Sequence, residues 1–372
     1  MSATVLVTGG AGFIGSHLAD ALLQAGYRVR VLDNLSEQVH GRSGEVPAYL
    51  AKDVEVLPGD VRDPDTLRLA LNGVDAVYHL AAMVGVGQSM YQVDDYVAVN
   101  DLGTANLLQC LINRPVSRLV VASSMSIYGE GLYRTADGTL VEQAARSLEH
   151  MTAGQFDPVD ANGAPLVPLG TPETKAPSLA SVYALSKYVQ ERMCMIVGDA
   201  YGIPTTALRF FNVYGTRQAL SNPYTGVLAI FASRLLNGRP PRIFEDGRQL
   251  RDFVHVHDVA QACLLALETD AAKGEVFNVG SGNVYSVAEI AHRLARAMGR
   301  EDIGPEITGE CRKGDIRHCF ADLTKARSLL GFSPKVDFQA GLSELVEWVA
   351  TQAAADHAEE AAFELRRRGL VA

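Results

Sequence analysis

Residues Thr4-Val5-Leu6-Val7 run straight into Thr8-Gly9-Gly10-Ala11-Gly12-Phe13-Ile14-Gly15, and a helical pattern follows at once from Ser16 to Ala25. An apolar strand, glycines at 9, 12 and 15, then a helix: no other stretch of the chain constrains its fold as tightly. Glycine permits the tight turn and lets backbone N–H groups approach a pyrophosphate at the helix N-terminus. A glycine run alone is weak, so its context carries the reading. Asp33 ends the second apolar run, 18 positions after Gly15. A carboxylate there accepts from both ribose hydroxyls of NAD and repels the extra phosphate of NADP. Asn34, not an arginine, comes next. Asp60 follows the third run, where it either contacts the adenine or caps the next helix.

Five buried runs alternate with helical segments over the first 130 residues: Val5-Leu6-Val7, Val29 to Leu32, Val54 to Leu57, Ala76 to Leu80 and Leu119 to Ala122. The alternation predicts an α/β fold with a Rossmann-type, doubly wound parallel sheet. Residues 130–178 break the rhythm with five glycines and five prolines among polar residues. Such an insert either builds short elements over the site or makes a surface excursion. Beyond it, helices are expected over Ser181–Ala200, 226–238, Val259–Leu267 and 286–298. Strands are expected near 205–211 and at Val276–Val279, and a helical tail over about 338–367. Residues 1–200, with the insert and the returning strand, thus form a dinucleotide-binding domain. Residues 212–372 mainly form a smaller, mixed α/β substrate domain interleaved with it. Arg366-Arg367-Arg368 suits a helix C-terminus as a solvated cluster.

The formal charge of −10 argues against a nucleic-acid surface. The N-terminus carries no basic leader and apolar run, and no stretch reaches the length of a membrane span. Five scattered cysteines (Cys110, Cys194, Cys263, Cys311, Cys319) without a C-x-x-C pair fit a reducing, cytoplasmic location. His255-x-His257-Asp258 places two imidazoles on one face of an extended segment, but Asp258 points elsewhere, so no metal is expected.

Tyr183-Ala184-Leu185-Ser186-Lys187 stands a phenol and an ammonium one turn apart on a helix. A free phenol has a pKa near 10, so service as a base near neutrality requires roughly 4 kcal/mol of help. A lysine and a cationic nicotinamide have the right sign to supply it. Ala122-Ser123-Ser124-Met125-Ser126-Ile127-Tyr128-Gly129 follows a buried strand and places Ser124 at its ligand-side end. Glycine loop, Asp33, Ser124, Tyr183 and Lys187 occur in the order of a hydride-transfer site.

Together with Gly59-Asp60, His79-Leu80-Ala81-Ala82, Asn100, Arg209 to Gly215, Gln249 to Val259 and Arg312-Lys313-Gly314-Asp315, these residues carry a resemblance across nearly the whole chain. The sequence is similar to the extended short-chain dehydrogenase/reductase family, and within it to the nucleotide-sugar epimerases and dehydratases. The resemblance implies that Gly9, Gly12, Phe13, Ile14, Gly15, Asp33, Asn34, Asp60, Val61, Leu80, Ala81, Ala82, Asn100, Tyr183, Lys187 and Phe210 contact NAD. It implies that Ser124 and Tyr183, with Ser126 beside them, bind the reacting sugar hydroxyl, Tyr183 shuttling its proton. Asn212, Arg251 and Arg312 would hold the diphosphate and nucleotide end. Dehydratases and decarboxylases of the family carry acidic residues in the serine motif, where this chain has Met125 and Ser126. Hydride return to the opposite face, and so epimerisation at C4, is then the expected outcome. A dehydratase, a one-way ketoreductase or dehydrogenase, and a non-catalytic dinucleotide sensor are the alternatives. The long insert and Val84, where galactose-type epimerases resemble one another in having lysine, leave base and sugar open. The resemblance also implies a homodimer, through helices corresponding to 96–113 and 181–200.

Overall fold

The computed structural model describes residues 2–42, 44–352 and 355–371. Its centre is a seven-stranded sheet in the order Val276–Val279, Thr205–Phe210, Arg118–Ser124, Ala76–His79, Thr4–Thr8, Arg28–Asp33, Glu55–Pro58. Every neighbouring pair is parallel. Side chains alternate across the sheet. Val5, Val7, Tyr78 and Val120 face one layer, packed with Leu18, Leu22, Val259 and Ala262 of the helices Phe13–Gln24 and Val256–Glu268. Leu6, Val77, Leu119 and Val121 face the other, with Leu67, Leu107, Leu111 and Cys194. Burial on both faces explains why these strands read as continuous apolar runs.

The seventh strand, Val276–Val279, comes from the C-terminal half, so the sheet is completed only after the chain has left residues 1–200. A second core gathers the helices Val227–Leu236, Val287–Ala297 and Phe338–Val349 around Phe231, Leu294 and Leu342.

The insert has structure of its own. Leu132–Arg134 pairs antiparallel with Leu140–Val141 and with Val167–Leu169, and a short helix, Leu148–Thr152, is capped by Ser147. Charges bind this unit to the rest. Arg146 reaches Glu130 at 2.8 Å and Glu245. The fully buried Arg317 meets Asp157 of the insert at 2.7 Å and Glu245 at 3.0 Å, and also pairs with Asp246.

The tail departs from the single helical stretch expected. It forms Phe338–Val349 and Ala358–Arg367, because the first buries Leu342 and Leu345 in the second core while the second lays Leu365 against Gly87. Nor are its arginines simply solvated: Arg366 grips Glu310 at 2.7 Å, and Arg368 lies 4.4 Å from the centre of the Tyr91 ring.

Candidate active site

The strand order reverses between Thr4–Thr8 and Ala76–His79, and a crevice opens beyond their carboxyl ends, as α/β sheets require. It holds a cavity of about 590 Å³. Gly9 turns the chain at φ +71°, and a Cβ there would sit 2.9 Å from the backbone of Ala81. A Cβ at Gly15 would sit 2.4 Å from the Gly9 carbonyl oxygen, so helix and loop close only on glycine. Gly12 is the N-cap, and no side chain satisfies the first N–H groups of the helix. They are left for an anion.

Asp33 is buried at the end of its strand. Its Oδ2 accepts from the Ala11 N–H at 3.0 Å and its Oδ1 from the Leu35 N–H at 2.9 Å, which locks the carboxylate against the glycine loop. Asp60 accepts from the Arg62 backbone at 2.8 Å and from Asn34 at 3.0 Å. Burial pushes its carboxyl up, but the Arg62 and Asn34 hydrogen bonds outweigh this and hold it at about 2. The helix after it is capped by Asp63, so Asp60 is not the cap.

Ser124 ends the strand Arg118–Ser124, and the helix Val182–Tyr201 brings Tyr183 and Lys187 to it. The Ser124 Oγ accepts from the Ser126 N–H at 3.2 Å and the Ser126 hydroxyl at 2.9 Å. Ser124 and Tyr183 line the same cavity, and the serine hydroxyl acts on the phenol in the direction that favours its ionised form. Burial pushes the Tyr183 phenol above its ordinary value, and the Ser124 bond pulls it down. Burial lowers Lys187 to about 8, with Cys194 and Glu191 opposing.

Gly9, Gly12, Phe13, Ile14, Gly15, Asp33, Asn34, Asp60, Val61, Leu80, Ala81, Ala82, Ser124, Tyr183, Lys187 and Phe210 all line this one cavity. Asn100 stands behind its wall: its amide is spent on the backbone of Met83 and on Ser186. Ser126 likewise touches Ser124 rather than the cavity. Arg251, Arg312 and Asn212 lie outside the lining. Arg251 donates to the carbonyls of Leu250 and Arg317, both at 2.9 Å, and Arg312 pairs with Asp315 at 2.9 Å above the Phe244 ring. The Asn212 Oδ1 is buried without a partner. Sequence reasoning missed Gln38, Gln88 and Asn222, whose amides bridge the cavity at 3.0–3.2 Å. No local pattern marks them, because their contacts span up to 184 positions.

Asp258 points away, accepting from the Lys335 and Val336 N–H groups. The fold instead brings Glu344 within 3.7 Å of His255 and 3.8 Å of His257. The His255 Nδ1 accepts from the His257 N–H, so its Nε2 carries the hydrogen and offers no lone pair to a cation; that nitrogen is buried without a hydrogen-bond partner. Activity is therefore expected to survive exhaustive treatment with a chelator.

Burial holds His17 and His79 at about 3 and His255 and His318 at about 4. The unfolded chain protonates these rings below about 6.5 and the folded one does not, so their stabilisation is complete above that pH and drains away below it. Melting temperature should fall steadily from pH 6.5 to 4, and a flat profile would contradict the burial of these rings.

Fold and site together define a dinucleotide-dependent enzyme of hydride-transfer chemistry. Residues 5–149 and 152–280 match the NAD dependent epimerase/dehydratase family, and the chain belongs to it. It is 33% identical to the dTDP-L-rhamnose 4-epimerase of Burkholderia thailandensis over 94% of this chain and 95% of that one. Among solved structures it is similar to the UDP-glucose 4-epimerase of Thermotoga maritima with UDP-glucose, at 33% identity and a TM-score of 0.75, over 93% of this chain and 98% of that one. It is also similar to the Thermus thermophilus UDP-glucose 4-epimerase in complex with NAD, at 32% identity and a TM-score of 0.73, over 94% of this chain and 100% of that one.

Proposed function

We propose that this chain is an NAD-dependent epimerase that inverts C4 of a nucleotide sugar, a UDP- or dTDP-hexose or deoxyhexose, through a 4-keto intermediate. One observation carries the choice of reaction. Among the described residues, the carboxylates lining the cavity are Asp33, Asp60 and Asp95, gathered around the glycine loop and Arg62. None stands beside Ser124 and Tyr183 to drive elimination of water.

The glycine cradle, the uncapped helix end and the Asp33 carboxylate fit NAD. When bound, NAD supplies an acceptor that takes hydride from the sugar and gives it back. Ser124 and Tyr183 bind the 4-hydroxyl, and Tyr183 removes its proton with the Ser126–Ser124 donors behind it. Lys187 holds positive charge beneath the phenol. The ketone turns within the cavity, and Tyr183 returns the proton. Asn212, Arg251 and Arg312 bind the diphosphate and nucleotide, two guanidinium forks matching phosphate oxygens. Arg251 and Arg312 come from the substrate-binding unit, roughly residues 212–372.

The test is a panel of UDP-, dTDP-, GDP- and CDP-sugars, with products separated by chromatography. C4 epimers should interconvert without added cofactor and without net change at the nicotinamide absorbance band. Accumulation of a 4-keto-6-deoxy sugar would mark a dehydratase instead. Asp33→Ser should weaken NAD binding about 10- to 100-fold, the worth of charge-assisted hydrogen bonds to the ribose, while NADP binding improves; calorimetric titration checks both.

Two further parts of this reading rest on composition and surface. Exposed Val97, Leu102, Leu185 and Ile196, at up to 58% exposure, support a homodimer through the helical segments at 97–113 and 182–201. Light scattering tests it. The five cysteines are all free, which supports work in the reducing cytoplasm. No helix of the described residues is long and apolar enough to cross a membrane.

A further inference from the structure

The catalytic lysine is held from one side by a neighbour that the reaction does not use. Lys187 is buried at 3% exposure, and its Nζ donates to the Gln190 Oε1 at 2.8 Å. Gln190 is itself buried, and its Nε2 donates to the Thr104 Oγ1 at 2.9 Å. The hydrogens beyond this point can be assigned. Thr104 gives its own hydrogen to the Asn100 carbonyl, so it can only accept from the His79 Nε2, 2.8 Å away. His79 is then neutral with a free lone pair on Nδ1, which accepts from the Thr8 hydroxyl at 2.8 Å. Thr8 in turn accepts from the Ala81 N–H at 3.2 Å. The Gln190 Nε2 also lies 3.3 Å from the His79 Nε2, each nitrogen donating to Thr104, and 3.5 Å from the Ala81 carbonyl oxygen; the Gln190 oxygen meets one of the three Lys187 hydrogens. Reversing the Gln190 amide would set an N–H₂ group against an ammonium.

We propose that Gln190 is a positioning residue for Lys187: its oxygen fixes the ammonium, and its nitrogen ties that ammonium through Thr104 and His79 to Thr8 and Ala81, the backbone that shapes the dinucleotide loops. The inference rests on Lys187 acting as the proposed function assigns. A buried amide spent on one lysine and one threonine is costly unless its partners are in place, so the network holds a single geometry. The glycine loop packs on Ala81, through the close approach of Gly9, and the lysine is therefore in register with the site of the nicotinamide before any sugar arrives.

Lys187 faces Tyr183, Glu191 and Cys194 on its own helix and His79 from the neighbouring strand. Glu191 is neutralised by Arg209 at 2.7 Å, and His79 is uncharged. Gln190 is thus the polar partner whose replacement should move the lysine most directly. Loss of the oxygen in Gln190→Met disfavours the ammonium and lowers its titration midpoint, whereas a carboxylate in Gln190→Glu raises it.

The chain has seven lysines, few enough to follow individually. NAD-loaded protein labelled with [ε-13C]lysine would be titrated by NMR, the Lys187 signal being assigned by its loss in Lys187→Ala. The expected result is a midpoint shifted down in Gln190→Met and up in Gln190→Glu. Turnover should fall about 10- to 100-fold in Gln190→Met, the value of one hydrogen bond to a charged group, with KM for the sugar within about threefold, and should recover in large part in Gln190→Glu. Unmoved midpoints with near-native turnover would overturn the proposal and leave Gln190 a packing residue. Should Gln190→Met fail to fold, Gln190→Glu decides alone, since an upward shift supports the proposal and an unchanged midpoint refutes it. Absence of epimerase activity in the unmodified enzyme, with the shifts present, would sink the functional reading and not this one.

Discussion

Tyr183→Phe should lower kcat roughly a thousandfold, the middle of the range for a positioned acid–base group, while the protein still purifies with NAD. The phenol lines the cavity with Ser124, and no other described group lining the cavity stands ready to take a sugar proton there. The ring itself is held independently of its hydroxyl. It meets Tyr96 edge-on at 6.4 Å, and the Tyr183 N–H donates to the Ser89 hydroxyl at 3.0 Å. Phenylalanine keeps both contacts, so the variant isolates the chemistry from the fold. Bound cofactor is read from the spectrum after desalting and turnover from product chromatography. Near-native turnover in the variant would refute the role given to Tyr183.

The second large effect concerns stability. Arg317→Met should cost about 3–5 kcal/mol, the penalty for leaving buried charges without their partner. Arg317 is fully enclosed between Asp157 of the insert and Glu245 and Asp246 of the C-terminal half of the chain. Burial pushes the Glu245 carboxyl above its ordinary value, and Arg146 and Arg317 oppose that rise. Without Arg317 the insert loses its grip on the segment 315–318, which also carries the Asp315 that pairs with Arg312. Denaturant unfolding should show the lost stability, and limited proteolysis should now cut within 130–178. A change below about 1 kcal/mol would place this cluster with surface ion pairs, whose value is near zero.

Much of the architecture could be read from the chain because its causes are local. Thr205–Phe210 and Val276–Val279 are apolar runs of strand length, and both are strands. The glycines at 9 and 15 occur where a left-handed turn or close backbone packing leaves no room for a Cβ. Tyr183 and Lys187 share a helix face by spacing alone. The insert was harder. Its glycines and prolines announce turns, yet its three strands pair across gaps set by loops, and the force that docks it is a buried arginine more than a hundred residues downstream. The tail reads as one helical stretch because propensity cannot tell which core each half will bury.

The amino-acid order settles the parallel sheet, the dinucleotide loop and the Tyr-Lys pair, since backbone conformation and side-chain periodicity depend on near neighbours. Folding settles which groups meet: Gln190 of one helix with Thr104 of another, Gln38 with Asn222, Glu344 rather than Asp258 beside the two histidines. Those meetings join residues from separate strands and helices, and hydrogen bonds act over about 3 Å in space whatever the distance along the chain.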